Sequence, residues 1–268
     1  MKKGYSKEHQ NYLKKQKIGI FITHLSRILL LFAVFGIWEL VAKAGIVDPF
    51  ITSSPSRIIK AIEELYLSGS LFSHTWATLL ETILAFSIST MAGFLIALLL
   101  YSIPPIRKIL EPYLIVLNSL PKVALGPLII VWIGAGTKAI VTMGVLICII
   151  VTTIGILNGF IGVEEEKLKL FKTLGANKLQ VLTKLILPAS FPTIISVLKI
   201  NVGLAWVGVI MGEYLNSSAG LGFLIVYGGQ IFKLDLVMAA IIILCLLASI
   251  MYFIIALFEY LVNKKRNK

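Results

Sequence analysis

The sequence predicts an all-α, polytopic membrane protein with six transmembrane helices. Of its 268 residues, 58% are hydrophobic and only 14% are charged, and the mean hydropathy is +0.94. A soluble domain carries about a quarter charged residues, so a soluble globular fold is excluded as the default. Three runs contain no charged residue and are each long enough to cross a bilayer: 82–103, 139–163 and 236–258.

Three further apolar segments contain isolated charges and complete the set of spans. The predicted spans cover residues 18–42, 76–103, 109–133, 138–160, 188–212 and 236–261. A basic tail (1–17) precedes them and a short tail (263–268) follows. Segment 43–73 separates the first two spans, and a long loop (163–187) separates the fourth from the fifth. An even number of spans places both termini on the same side of the membrane.

The positive charges predict which side that is. Of the 25 Lys and Arg residues, 18 fall on the side of the two termini and five on the other. Positive residues accumulate on the cytoplasmic side, so both termini and loop 163–187 are predicted to be cytoplasmic. The first apolar stretch is interpreted as an uncleaved helix rather than a signal peptide, because Glu39 lies within it. Charge in short blocks between apolar runs argues against a nucleic-acid-binding surface.

The sequence lacks the residue patterns of an enzyme. It contains no HExxH or GxSxG motif, and its three histidines (His9, His24 and His74) are far apart. We therefore predict no catalytic residue and no metal site. It also lacks the GxxxxGK[ST] phosphate-binding loop, so this chain is predicted to bind no cofactor. If ATP drives the protein, another chain must bind it.

The charged residues within or beside the spans that are candidates for a functional role are Glu39, Glu81, Lys122, Lys199 and Glu213. Each costs about 2.5–3.5 kcal/mol on insertion scales, so each occupies an interior position or reaches the interface by snorkelling. The second explanation is open for the three glutamates, which lie near span ends. Two prolines close to Lys122 predict a break in the third span. Such a break marks either a pathway or an architectural kink.

The loop between spans four and five has apolar residues at helical spacing. They are Leu168, Phe171 and Leu174, followed by Leu179, Leu182 and Leu185. Gly175 separates the two groups, Asn177 can cap the second, and Pro188 is placed at the start of the next span. The pattern predicts two short amphipathic helices on the cytoplasmic face. They either rest on anionic lipid or dock a soluble partner.

This loop resembles the EAA loop of ABC-importer permeases. In that pattern a glycine is followed by nine residues and then Ile-x-Leu-Pro, and here Gly175 is followed by nine residues before Leu185-Ile186-Leu187-Pro188. The EAA triplet falls on Lys169-Leu170-Phe171, so the family's acidic residue is absent there. Our hypothesis is that the glutamates at 164–166 compensate for it.

Further motifs resemble the nitrate/sulfonate/taurine-type branch of that family. They are Trp38-Glu39-Leu40, Ser54-Pro55-Ser56, the proline-rich stretch 120–128 with 131–134, Ala205-Trp206 followed by Glu213, and Gly220-Leu221-Gly222. Glu81 departs from the branch, because a basic residue is expected there in relatives. The order of the motifs along about 230 residues supports the resemblance.

The resemblance implies a type I ABC-importer permease fold, with residues 74–262 as its transmembrane domain. It also implies a bacterial plasma-membrane location and a small anionic solute such as a sulfonate, taurine or nitrate. The implied partners are an ATP-binding subunit carrying ATP and Mg²⁺, an extracytoplasmic solute-binding protein, a second permease copy and the lipid bilayer. Competing hypotheses are a secondary transporter or channel, and a membrane-embedded enzyme. The first would need paired intramembrane acids or an inverted repeat, and we predict neither.

Two sets of site residues follow. The predicted ATPase-coupling residues are Lys169, Leu170, Phe171, Leu174, Gly175, Ala176, Leu185, Leu187 and Pro188. The predicted residues of the translocation path are Pro121, Lys122, Pro127, Trp206 and Glu213.

Overall fold

The computed structural model describes residues 7–266, which contain helices and no strand. In chain order the helices are α1 (Lys7–Lys43), α2 (Pro49–Thr52), α3 (Pro55–Leu67), α4 (Ser70–Ser102), α5 (Pro104–Ser119), α6 (Gly126–Ile133), α7 (Thr137–Ile161), α8 (Glu165–Thr173), α9 (Lys178–Val181), α10 (Leu187–Asn216), α11 (Leu221–Gln230) and α12 (Leu234–Arg266). Residues 1–6 of the predicted tail 1–17 and residues 267–268 of the predicted tail 263–268 lie outside the described residues, and the rest of both tails continues α1 and α12.

Within residues 7–266, five helical segments are long and apolar enough to cross a membrane. They contain α1, α4, α7, α10 and α12. A sixth span forms if the pair Pro104–Ser119 and Lys122–Ile133 counts as one, although the two parts are bent by 85°. The predicted break in the third span is therefore present. At the break, Lys122 Nζ donates to the carbonyl of Asn118 (3.2 Å), so it caps the carboxyl end of α5.

Helices α4, α7 and α10 form the centre of the molecule, and they pack through small residues. A Cβ atom added to Gly208 of α10 would lie 2.6 Å from the Cα atom of Gly144 in α7. A Cβ on Gly93 of α4 would lie 2.6 Å from Cβ of Thr152. Small residues let helix backbones approach closely, and the resulting packing contributes to helix association in a membrane.

Polar contacts link α1, α3 and α12 to one another, and one ion pair links α12 to the centre. In α1, the Glu39 carboxylate accepts the N–H of Ser56 (3.0 Å) and pairs with Lys43 (3.1 Å), so Glu39 joins α1 to the start of α3. Arg57 of α3 donates two hydrogen bonds to one Asp235 oxygen and one to the other, and this carboxylate raises the pKa of Arg57. Lys199 of α10 forms an ion pair with Glu259 of α12.

One sequence expectation about the long loop is wrong. Residues 178–187 do not form a separate short helix, because the fifth span is continuous from Lys178 to Asn216. Within it, Leu182–Ile186 form a π-turn in which the N–H of Leu187 donates to the carbonyl of Leu182. Pro188 follows this turn directly, and proline cannot donate the ordinary α-helical hydrogen bond. The wider turn lets the helix continue past the proline.

Candidate functional site

The predicted coupling loop, residues 163–187, contains a helical hairpin formed by α8 and α9. The N-terminal turn of α8 carries Glu165 and Glu166, and the helix ends at Thr173. Gly175 follows with φ +75°, a conformation that costs side-chain-bearing residues about 1–2 kcal/mol. Asn177 then caps α9, since its side chain accepts the N–H of Gln180 (2.8 Å) and Gln180 accepts the N–H of Asn177 (2.9 Å). The chain thus reverses sharply at Gly175.

The hairpin has one face on the molecule and one face open. Leu168 packs against a buried cluster that includes Phe160 and Ile186, and Phe171 is half-buried. Three leucines around the turn point outwards, with exposed fractions of 57% (Leu170), 74% (Leu174) and 67% (Leu179). The α8 tip, defined as these three leucines and Gly175, is an apolar surface that the described residues leave uncovered.

The other predicted coupling residues divide between the surface and the interior. Ala176 is half-buried, Leu185 is 8% exposed, and Leu187 packs against the cluster around Ile186. Pro188 is exposed. Leu185 and Leu187 therefore connect the hairpin to the core and are not part of its outer surface.

Two lysines of α8 form ion pairs with glutamates at the start of the helix. Lys169 lies 3.5 Å from the Glu165 carboxylate, and Lys167 lies 3.0 Å from that of Glu164. Of the three glutamates that we expected to replace the missing EAA glutamate, Glu164 and Glu165 are thus engaged by lysines one turn away. All four side chains are more than half exposed, so a partner can still reach them.

A second polar region surrounds the loop between α10 and α11, residues 217–220. Three successive backbone N–H groups at the start of α11 are bound by side chains. Gly220 donates to Nδ1 of His74 (3.0 Å), Leu221 donates to the hydroxyl of Thr78 (2.7 Å), and Gly222 donates to the carboxylate of Glu213 (2.6 Å). These N–H groups belong to a helix start, where α-helical partners are missing and negative charge is favoured. Helices α4 and α10 therefore hold the start of α11.

Two glycines leave room for this arrangement. Gly220 has φ +112°, and a Cβ atom there would lie 2.3 Å from a Glu213 carboxylate oxygen. A Cβ on Gly222 would lie 2.8 Å from Cβ of Glu213. The Gly220-Leu221-Gly222 motif thus has a steric cause, because both glycines make space for one glutamate side chain.

Glu213 lies beside a second buried carboxyl group, that of Glu81 in α4. The exposed fractions are 1% for Glu213 and 4% for Glu81, and the two side chains interact directly. Of the two alternatives left open for these glutamates, the structure favours the interior position over snorkelling. Considered singly in the sequence, the two acids were not predicted to form a pair. The sequence signal was available, since His74, Thr78 and Glu81 recur at helical spacing on one face of α4.

The carboxyl pair lines a cavity of about 610 Å³. Its walls come from α4, the start of α7, the end of α10, loop 217–220 and α11. Aromatic side chains on one side include Phe223 and Tyr227, whose rings stack with centroids 5.8 Å apart. Thr137 and Ser217 also line it.

The five predicted path residues do not meet in one place. Pro121, Lys122 and Pro127 surround the break before α6. Trp206 is 5% exposed and faces α12 across a small apolar cavity that also contacts Leu244 and Cys245. Only Glu213 lines the larger cavity. Among residues 7–266, no group of three His, Cys, Asp or Glu side chains could hold a metal ion.

Comparison with known proteins places this architecture among transport proteins. The sequence profile of the family described as "Binding-protein-dependent transport system inner membrane component" matches residues 89–267. The chain is also similar, in fold alone, to the methionine ABC transporter in an inward-facing conformation. That likeness has a TM-score of 0.65 and 18% identity, and it covers 73% of this chain and 97% of the other.

Three relatives extend the similarity over most of the chain. A "Probable ABC transporter permease protein" of Haemophilus influenzae is 32% identical, covering 85% of this chain and 93% of the relative. A taurine transport system permease protein of Escherichia coli is 24% identical, covering 80% of each chain. A formylaminopyrimidine transport permease protein of Halalkalibacterium halodurans is 31% identical, covering 70% of this chain and 74% of the relative.

Proposed function

Since the chain belongs to the family of binding-protein-dependent transport system inner membrane components, it is a multi-pass permease subunit of an ABC importer, and we propose how it is driven and arranged. The family implies an ATP-binding subunit and a substrate-binding protein as partners. In our proposal a separate ATPase chain holds ATP and Mg²⁺ and docks on the α8 tip. When the ATPase closes, it moves the hairpin, and the hairpin in turn moves α10.

The observation that carries this proposal is the contrast between the two faces of the hairpin. Leu170 and Leu174 are exposed apolar side chains beside a glycine with open space around it. An exposed apolar cluster of this kind is typical of a protein-docking surface. On the other side, the hairpin is continuous with the fifth span through the π-turn and the buried Ile186. A push on the tip is therefore transmitted to α10 without an intervening flexible linker.

We propose that the translocation path forms between two copies of the chain. The bent pair α5–α6 supports this, because its outer surface is strongly apolar: Val131 and Trp132 are 79% and 75% exposed. Broken helices occur at membrane depth only where protein or a water-filled path covers the break. A second copy facing the break would cover these side chains, and Pro121, Lys122 and Pro127 would then border the path.

The orientation is part of the proposal, with both termini and the α8 tip in the cytoplasm. Its test uses a Cys245→Ser background, in which the remaining Cys148 is buried. Single cysteines replace Leu174 or Leu67, which have matching exposed fractions of 74% and 77%. A membrane-impermeant maleimide applied to spheroplasts should label Leu67→Cys and leave Leu174→Cys unlabelled until the membrane is opened. The reverse pattern would contradict the orientation.

For the solute we propose a small organic molecule of the sulfonate and taurine type. The taurine permease relative supports this choice, and the formylaminopyrimidine permease relative supports a small heterocyclic amine as the second candidate. The test is ATP-dependent uptake of radiolabelled taurine or aminopyrimidine into proteoliposomes. These contain the permease with its ATPase subunit and its substrate-binding protein. Uptake that needs neither ATP nor the ATPase would contradict the proposal.

A further inference from the structure

The carboxyl groups of Glu81 and Glu213 each have one oxygen without a hydrogen-bond partner among residues 7–266. These atoms are Oε2 of Glu81 and Oε1 of Glu213, and both are inaccessible to solvent. The other oxygen of Glu213, Oε2, accepts the N–H of Gly222 (2.6 Å). Buried polar atoms are nearly always satisfied, so two unpartnered oxygens on interacting side chains require a common explanation.

The surroundings of the pair carry no balancing positive charge. The described residues that line the adjoining cavity include no Lys, Arg or His, and its other titratable side chains are Tyr214 of α10 and Tyr227 of α11. The wall from α7 is uncharged and includes Thr137. In α4, Nδ1 of His74 accepts the N–H of Gly220, so this nitrogen carries no proton. Two ionised carboxylates in contact here would repel each other without compensation.

A single proton removes both problems. An ionised carboxyl group only accepts hydrogen bonds, whereas a protonated one also donates through its O–H. With one proton between them, the O–H of one glutamate donates to the free oxygen of the other, and both oxygens gain a partner. The pair then carries one negative charge instead of two. The remaining charge is favourable beside the N–H of Gly222, because that group lies at the start of a helix.

We propose that Glu81 and Glu213 share one proton and that this proton holds the start of α11 in place. The shared proton joins α4 to α10, and Oε2 of Glu213 joins the pair to the Gly222 N–H of α11. Loss of the proton places two negative charges in contact, so the Glu213 carboxyl group moves away and releases Gly222. The contact is therefore a pH-sensitive switch that weakens as the pH rises. It is a property of the single chain and does not depend on which solute the permease carries.

The first test detects the proton itself. The full chain is labelled with carbon-13 glutamate and purified in an ester-free detergent, and its infrared spectrum is recorded at pH 7. Solvated glutamates lose their protons at about pH 4.3, so only a buried pair contributes a protonated-carboxyl band. We expect this band in the unmodified chain and its loss in the double variant Glu81→Gln/Glu213→Gln. Absence of the band from the unmodified chain would overturn the proposal, as would its persistence in the double variant.

The second test measures how pH affects stability. The folded pair keeps a proton that the unfolded chain has lost above about pH 4.3, so stability falls as the pH rises. One extra bound proton raises the unfolding equilibrium constant about tenfold per pH unit until the pair itself loses the proton. In Glu81→Gln the amide N–H donates to Glu213 without titrating, so this contribution should be absent. Glu63→Gln removes an exposed carboxylate of α3 and should retain it.

Hydrogen exchange separates the switch from a general loss of stability. Exchange of the Gly222 N–H is compared between the unmodified chain and Glu81→Gln at the same pH, so that the chemical exchange rate cancels. The two rates should agree at pH 6, and the unmodified chain should exchange at least about tenfold faster at pH 9. The N–H of Gly208, in the α7–α10 contact, is the internal control and should not differ. Equal Gly222 rates at both pH values would overturn the switch.

The outcomes remain decisive if a variant fails to fold. The labelled band of the unmodified chain and its disappearance at high pH require no variant. Equal pH dependence of unfolding in the unmodified chain and Glu81→Gln would show that no shared proton stabilises the fold. Failure of the proposed function is separate, because it would appear as a permease that does not assemble with an ATPase, and it would leave the infrared band unchanged.

Discussion

Two short helices, α8 and α11, are positioned by similar means and lie in opposite surroundings. Each adjoins a glycine with positive φ, Gly175 after α8 and Gly220 before α11. Around Gly175 no described atom outside the local chain lies within 4 Å, whereas Gly220 is in contact with the Glu213 carboxyl group. The turn at Gly175 is therefore exposed, and the turn at Gly220 is packed against another side chain. A glycine with positive φ thus forms part of an exposed surface in one place and of an internal contact in the other.

The largest effect on stability is expected at the start of α11, where the chain is packed against Glu213. In Gly222→Ala the new methyl group would lie 2.8 Å from Cβ of Glu213, which should destabilise the protein by about 3 kcal/mol. The control is Gly229→Ala in the same helix, where no described atom lies within 4 Å. Thermal unfolding in detergent should show a clear loss for the first and none for the second. Equal stability would mean that α11 is not held against Glu213.

The next effect separates docking from folding. Leu174→Asp should weaken binding of the ATPase subunit by about 2 kcal/mol, roughly 30-fold, because it places a charge in an apolar contact. The fold should be unaffected, since Leu174 is 74% exposed. Leu67→Asp changes an equally exposed leucine of α3 and should leave ATPase binding intact. Titration of the ATPase subunit against each immobilised permease variant measures the two affinities. Equal affinities would contradict docking at the α8 tip.

A smaller effect tests the hydrogen bonds at the start of α11. Thr78→Val keeps the side-chain shape and removes the acceptor of the Leu221 N–H, which should cost about 1.5 kcal/mol of unfolding free energy. Thr142→Val is the control, because that hydroxyl only donates to the carbonyl of Lys138 in its own helix. If both variants unfold at the same temperature, the α4 contact does not stabilise the start of α11.

The smallest effect is expected from the paired charges of α8. Lys169→Ala breaks an exposed ion pair with Glu165 and should change stability by no more than about 0.5 kcal/mol. Arg57→Ala removes a two-pronged, less exposed pair with Asp235 and should cost more, about 1 kcal/mol. Unfolding temperatures of the two variants give the comparison. A larger loss of stability from Lys169→Ala than from Arg57→Ala would show that the exposed ion pair of α8 stabilises the protein more than its exposure indicates.

Much of the fold could be predicted from the sequence, because whether a segment spans the membrane depends mainly on the residues of that segment. Apolar length, scattered charges and prolines are properties of single segments, and they indicated the spans and the break near Lys122. The hairpin could be predicted for the same reason, since Gly175 and the Asn177 cap act within a few residues. The π-turn was not predicted, because Pro188 was interpreted as the start of the next span and not as a residue inside one continuous helix.

The region around the start of α11 was harder to predict because its partners are distant in sequence. Thr78 and Leu221 are 143 residues apart, and His74 and Gly220 are 146 apart. Glu81 and Glu213 were each considered alone, as single charges near span ends. Only the packing of α4 against α10 shows that they form a pair. Sequence periodicity indicates which residues share one face of a helix, but it does not indicate which other helix packs against that face.

The central claim is that the open turn at Gly175 couples ATP hydrolysis to transport. Gly175→Val and Gly69→Val provide the most direct test, because the two glycines have nearly equal φ (+75° and +71°) and no described atom within 4 Å. The measurement is solute imported per ATP hydrolysed in proteoliposomes that contain the assembled transporter. We predict that Gly175→Val lowers this ratio at least tenfold while membrane insertion persists, and that Gly69→Val leaves it unchanged. Equal ratios in the two variants would contradict the account.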